Sequence, residues 1–193
     1  MKRLLWVLIS VGLMGGIFWL GRSFTGDKTS LDWKTPFLDN SQNIENTPLA
    51  EGQTVTDSGS QKKFNHSILG FSFLYNKDYS ISSFGNYFDS NGQTILLQKD
   101  SIQGLQILIT PFDEDISLTG SRIKKDLPSL VMQNIKEELI GETNVVIFES
   151  TNNLSTGKSL EGWFIYRKNL YQISSSLEAS ELFQGIINKW QWQ

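Results

Sequence analysis

The 193-residue chain contains no cysteine. This excludes disulfides, thiolate nucleophiles, cysteine-ligated zinc and lipid attachment through a cysteine. It leaves the redox compartment open. Histidine occurs once, as His66, so metal sites or acid–base systems built on several histidines are excluded as well. Neither charge sign dominates: 17 Lys and Arg stand against 20 Asp and Glu, for a net charge of −3. There is no basic footprint for nucleic acid and no strongly acidic tail. What the chain does have is aromatic surface, with 6 Trp, 5 Tyr and 12 Phe. That is enough apolar area for a core, so wholesale disorder is not expected. At this length one domain with appendages is the natural reading.

Three parts are expected: residues 1–21, 22–64 and 65–193. In the first, Lys2 and Arg3 precede an uncharged run from Leu4 to Leu20, seventeen residues long. Such a run is at the short end of the ~17–25 residues that cross a bilayer core. Trp6 near one end and Trp19 at the other suit the headgroup level. The reading is a transmembrane helix that places the N-terminus in the cytoplasm and the remainder outside, in a single-pass membrane protein of the cell membrane. A cleaved signal peptide is the rival, but Phe18-Trp19-Leu20 suits cleavage poorly. Gly12 and Gly16 form a Gly-x-x-x-Gly pair, which marks a candidate weak homodimer through this helix.

Residues 22–64 are rich in Ser, Thr, Asn, Gln, Asp and Gly. Their apolar residues follow no period, and 50–63 reads as a flexible linker. A flexible chain over 22–64 spans roughly 35 Å, enough to hold a domain clear of lipid. Leu31, Trp33, Phe37 and Leu38 form the one apolar cluster in this tether.

From residue 65 the patterning changes. Phe71, Phe73 and Tyr75 alternate as in a strand. Further strands are expected around Tyr79–Ser82, Thr94–Gln98, Gly104–Thr110, Val145–Ser150, Leu160–Arg167 and Leu170–Ser174. The last two are joined by a turn at Lys168-Asn169, and Asn91-Gly92 is a second turn signal. Leu118–Leu127 reads as a short helix capped by Ser117 or Thr119, with Leu118, Ile123 and Leu127 inward. A capping box, Ser175-x-x-Glu178, opens a final helix striped by Leu182, Phe183, Ile186, Ile187 and Trp190. The fold class is α+β: a mostly antiparallel β-sheet covered by helices.

The order of short patches is also familiar. Gly70-Phe71-Ser72-Phe73-x-Tyr75 comes first, then Pro111-Phe112-Asp113-Glu114 and Arg122 to Pro128. Phe148-Glu149-Ser150, Trp163-Phe164, Leu170-Tyr171-Gln172-Ile173 and a late Trp190 follow. In this order residues 65–193 resemble the PsbP-like family, an α/β/α sandwich, and in particular its membrane-anchored bacterial members. Asn76 stands where that family often has proline. The resemblance implies the fold and a binding role: the best-known members are extrinsic photosystem II subunits and a nuclear-import factor that binds a small GTPase. No photosystem docking motif can be carried over.

Several residues invite chemistry. Gly157-Lys158-Ser159 imitates a phosphate-binding loop, but Asn152 replaces the first glycine and a strand pattern follows. Asp113, Glu114 and Asp115 are weak candidates for a hard cation, without calcium-loop spacing; acidic residues there also suit the start of a helix. His66, at the tether boundary, reads as solvent-exposed, and no Gly-x-Ser-x-Gly accompanies it. Glu149 and Glu161 fall on successive strands, the arrangement a carboxylate pair requires only if the two share a face. Arg122, Lys124 and Lys125 read as a solvated helix face. Tyr79, Phe84, Tyr87 and Phe88, interleaved with Ser, Gly and Asn, form the candidate interaction surface, since such residues give contact area at low entropic cost. The expected function is a membrane-tethered, extracytoplasmic, non-catalytic interaction or assembly module with an unidentified protein partner, the bilayer around residues 4–20, and no cofactor. The alternative is a cell-envelope small-ligand binder or a carboxylate-based hydrolase.

Overall fold

A computed structural model describes residues 49–85, 92–100, 103–151 and 158–193. The run from Leu4 to Leu20, with Gly12, Gly16 and Trp19, lies outside the described residues, as do Tyr87, Phe88 and Asn152. Among the described residues no helix is long and apolar enough to cross a membrane.

The first elements among the described residues are three antiparallel strands, β1 (Gln53–Ser58), β2 (Gln61–His66) and β3 (Phe71–Asn76). The polar composition of 50–63 suggests a flexible linker there; those residues instead supply β1 and half of β2. The signal was weak because β1 exposes nearly every side chain and buries little beyond Gln53. It is held by its ladder to β2, while β2 turns Phe64 and His66 inward. A two-residue strand after the last helix, β11 (Gln191–Trp192), completes this sheet in the order β1-β2-β3-β11.

The second sheet has seven strands. β4 (Ser80–Gly85), β5 (Gln93–Gln98) and β6 (Gly104–Pro111) precede a short helix, α1 (Gly120–Asp126). β7 (Met132–Ile140), β8 (Thr143–Thr151), β9 (Lys158–Tyr166) and β10 (Asn169–Ser176) follow. The spatial order is β4-β5-β6-β10-β9-β8-β7, and all pairings described are antiparallel. A 3-10 turn at Leu177–Ala179 leads into α2 (Ser180–Lys189). Among the described residues the α+β class, with mostly antiparallel sheet and two helices, is as expected.

Both faces of the larger sheet are covered in its β8–β9 half, and the sequence shows why. Val145-Val146-Ile147-Phe148 is an uninterrupted apolar run, the mark of a strand buried on both sides. Val145 and Ile147 enter the main core with Phe71, Phe73, Ile107, Phe164, Tyr171 and the buried face of α2. Val146 and Phe148 enter a second core with Leu118, Ile123, Leu127, Trp163 and Leu170. Thr119 caps α1, its hydroxyl accepting from the Arg122 amide at 3.2 Å. Leu182, Phe183, Ile186 and Ile187 are the buried stripe of α2, as the helical spacing predicts. Phe183 lies so close to β9 that a Cβ on Gly162 would sit 2.8 Å from its Cζ. Trp190, just past the helix, stacks on Phe71 at 4.5 Å between ring centroids and ties α2 to β3. Each such buried aromatic contributes about 1.5–3 kcal/mol by burial.

The β9–β10 hairpin turns at Arg167-Lys168, one residue before the expected Lys168-Asn169. Tyr166 pairs with Asn169, and the two loop residues both take positive φ, 47° and 58°. A two-residue hairpin of this hand needs that conformation. Asn169 instead opens β10 and donates Nδ2–H to the Arg167 carbonyl at 2.9 Å.

Candidate functional site

Strand register brings one face of the seven-stranded sheet into view as two rows. Phe84, Thr94, Leu108, Gln172, Trp163, Val146 and Glu137 lie side by side from β4 to β7. In the next row are Ser82, Leu96, Gln106, Ser174, Glu161 and Phe148. Toward β7 the α1 segment covers this face. Toward β4, Thr94, Leu96, Gln106 and Leu108 are only half-buried and Phe84 is 47% exposed. Of the candidate interaction surface, Phe84 therefore stands on an edge strand at the end of a row that mixes apolar and polar side chains. Tyr79 lies just before β4, half-buried against the main core, where burial pushes its phenol upward.

At the boundary between the covered and half-covered parts is Glu161. Its carboxylate accepts from Ser159 Oγ at 2.7 Å, Trp163 Nε1 at 3.1 Å and Ser174 Oγ at 2.6 Å. Ser159, Glu161 and Trp163 alternate along β9 and so share a face. Ser174 comes from β10 because the Arg167-Lys168 turn sets it opposite Glu161. Burial raises the pKa of this carboxyl and outweighs the three hydrogen bonds that act to lower it. Beside it in the sheet, Gln172 is 5% exposed.

The suggested partner carboxylate is elsewhere. Phe148 pairs with Glu161 and Glu149 with Leu160, so Glu149 and Glu161 point to opposite faces. Glu149 accepts from Asn134 Nδ2 at 2.7 Å and Lys158 Nζ at 3.4 Å, which hold its carboxyl below the usual range. A hydrolase built on these two as a pair is ruled out by the register. Lys158, from the phosphate-loop look-alike, opens strand β9, so no helix N-terminus follows it.

In the acidic run before α1, Asp113 and Asp115 are exposed and Glu114 is engaged in structure. Glu114 forms a two-pronged ion pair with Arg122, at 3.1 Å on both prongs, and Arg122 also bonds Asp126. The carboxylates raise the already high pKa of the guanidinium. Arg122 is thus a half-buried clamp rather than part of a solvated face, whereas Lys124 and Lys125 are exposed. Among the described residues no group of three His, Asp or Glu is placed to hold a metal.

His66 corrects the expectation of a solvent-exposed residue: it is fully buried. Its Nε2–H donates to Gln93 Oε1 at 2.8 Å, and Nδ1 accepts from the Leu69 amide at 3.4 Å. These contacts require the neutral ring, and burial lowers its pKa. Since His66 is on β2 and Gln93 on β5, the bond joins the two sheets. Gly92, just before Gln93, has φ +74°, and a Cβ there would lie 2.2 Å from the Ile109 carbonyl oxygen.

No protein-family model matches the chain, and no curated protein matches it by sequence. Solved structures do. The solution structure of cyanobacterial PsbP (CyanoP) from Synechocystis sp. PCC 6803 is similar, with a TM-score of 0.50 at 12% identity. The match covers 72% of this chain and 95% of that one. The chain therefore has a PsbP-like fold, as the order of sequence patches implied.

Proposed function

We propose that this chain is a membrane-tethered, extracytoplasmic PsbP-like domain that serves as a non-catalytic protein-interaction or assembly module. The observation that carries the reading is Phe84. It is a large aromatic side chain, half in solvent, on the edge strand of the larger sheet, in line with half-buried Leu108 and Thr94. Aromatic side chains at an exposed edge offer the anchor that protein interfaces use. Several titratable groups outside that surface are occupied: His66 joins the sheets, Glu114 and Arg122 brace α1, and Glu149 holds Asn134 and Lys158.

The tether belongs to the same proposal. The apolar run 4–20 anchors the chain, residues before Gln53 give reach, and the β-sheets present Phe84 outside the membrane. Full-length protein crosslinked in cells and recovered from membranes, beside a control carrying only residues 1–64, tests this. A stoichiometric partner that requires residues 65–193 supports it. Recovery of the full chain in the soluble fraction, or an identical crosslinking pattern in the control, contradicts it.

Glu161 supports the second reading, a cell-envelope small-ligand binder. A half-buried carboxyl with raised pKa, beside hydroxyl and indole donors, is a polar centre suited to a small polar molecule. If the Phe84 face captures no protein, screening of small polar ligands against Glu161→Gln follows.

A further inference from the structure

The larger sheet ends on two edges, β4 and β7. β7 is nine residues long, and seven consecutive ones, Gln133 to Leu139, are exposed. Of the exposed large apolar side chains among the described residues, three lie on this strand or its approach: Val131 (41%), Ile135 (37%) and Leu139 (72%). An edge like this is an open row of backbone donors and acceptors.

The two faces of β7 differ. Glu137 pairs with Val146, which belongs to the α1-side core. Ile135 shares that side, since its Cγ2 would lie 3.1 Å from a Cβ on Gly120 of α1. Leu139, two residues beyond Glu137, follows by alternation. Lys136 and Glu138 point to the opposite face.

We propose that β7 pairs antiparallel with β7 of a second copy of this chain, about a two-fold axis that passes through Glu137 normal to the sheet. Such an axis keeps every residue on its own face, so odd-numbered residues oppose odd and even oppose even. Centring it on Lys136 would set lysine against lysine and Ile135 against Glu137. Centring it on Glu138 would set glutamate against glutamate and Lys136 against Ile140. Centring it on Glu137 opposes Ile135 with Leu139 twice and Lys136 with Glu138 twice. Both the apolar and the charged exposed positions are then matched.

One like-charge pair remains, Glu137 with its own copy. Its carboxylate is already engaged within its subunit: Oε1 accepts from the Gly120 amide at 3.0 Å and Oε2 from Asn144 Nδ2 at 3.3 Å. The two charges are therefore turned toward their own helices. A β-bulge that takes in Asn134, at φ 53°, and Ile135 lies between Gln133 and Lys136, so the regular ladder to β8 ends at Lys136 and Ile135 is the last residue the second copy could meet. Bulges and charges guard edges against indiscriminate pairing; here the charge pattern is complementary to itself. The contact is closed, so two seven-stranded sheets join and growth stops.

Sedimentation equilibrium of the full-length chain in density-matched detergent tests this, with variants that separate it from contact through the membrane run. The chain is expected to dimerise. Glu138→Lys alone, which sets cations opposite each other twice, weakens the dimer roughly tenfold or more, and adding Lys136→Glu restores it. Gly12→Leu leaves it unchanged. As the chain is free of cysteine, mild oxidation of Glu137→Cys yields a crosslinked dimer, while Leu139→Cys alone does not. A monomer, or a dimer indifferent to Glu138→Lys, overturns the proposal. So does a dimer lost in Gly12→Leu, which assigns the contact to the N-terminal run.

Discussion

Ser174 lies directly opposite Glu161 across the β9–β10 hairpin and donates its hydroxyl to that carboxylate at 2.6 Å. With Ser159 and Trp163 it gives a half-buried acid three donors, yet desolvation still raises the pKa. The folded state therefore binds a proton here more tightly than the unfolded chain does. The contribution is stabilising at acid pH and is lost as pH rises from the ordinary glutamate range through the raised value. Glu161→Gln keeps an acceptor for Ser174 and Trp163. It is expected to flatten this part of the stability profile, measured as urea midpoints from pH 4 to 8. Glu161→Leu strands the donors and should cost about 2–3 kcal/mol.

His66 acts with the opposite sign. The Leu69 amide needs an unprotonated Nδ1, and burial lowers the pKa of the ring, outweighing the hydrogen bond to Gln93 that acts to raise it. Its stabilisation is complete above the ordinary value near 6.5 and is lost as pH falls below that toward the lowered value. His66→Phe removes the titration and strands Gln93. The variant should be less stable at pH 7, and its urea midpoint should respond less to acidification than that of the parent chain.

Gly162 admits the Phe183 ring. A methyl at that position would meet Phe183, which is fully buried and has nowhere to go. Gly162→Ala should destabilise by about 1–3 kcal/mol through overpacking, read as a lowered Tm with the far-UV circular dichroism spectrum retained.

The Arg167-Lys168 turn holds two non-glycine residues at positive φ. Replacing them with Asn-Gly, the pair such turns favour, should raise stability by roughly 0.5–1 kcal/mol. A fall in the urea midpoint would contradict the turn geometry.

This turn also shows why the fold was more legible than the site. The strands of β3, β5, β6, β8, β9 and β10 and both helices announce themselves by periodicity, because their buried faces repeat. The register between β9 and β10 does not. A turn moved by one residue, from 167–168 to 168–169, would set Ser176 rather than Ser174 opposite Glu161. Glu161 was recognisable as a candidate, but Ser159, Trp163 and Ser174 around it were not. The alternation of Ser159, Glu161 and Trp163 was the one available signal. β1 and β7 give no periodic signal because both are edge strands with mostly exposed side chains, held by ladders rather than by burial. The burial of His66 is hidden for a related reason: with β1 and half of β2 read as linker, nothing remains to bury it.

The central claim is that the β4 edge carrying Phe84 meets a protein partner outside the membrane. Site-specific photocrosslinking in cells tests it most directly, with the reactive side chain at position 84 of the full-length chain or, as control, at exposed Leu177. The account predicts one dominant adduct from position 84 that is absent from position 177. No adduct from position 84, or the same adducts from both positions, would contradict it.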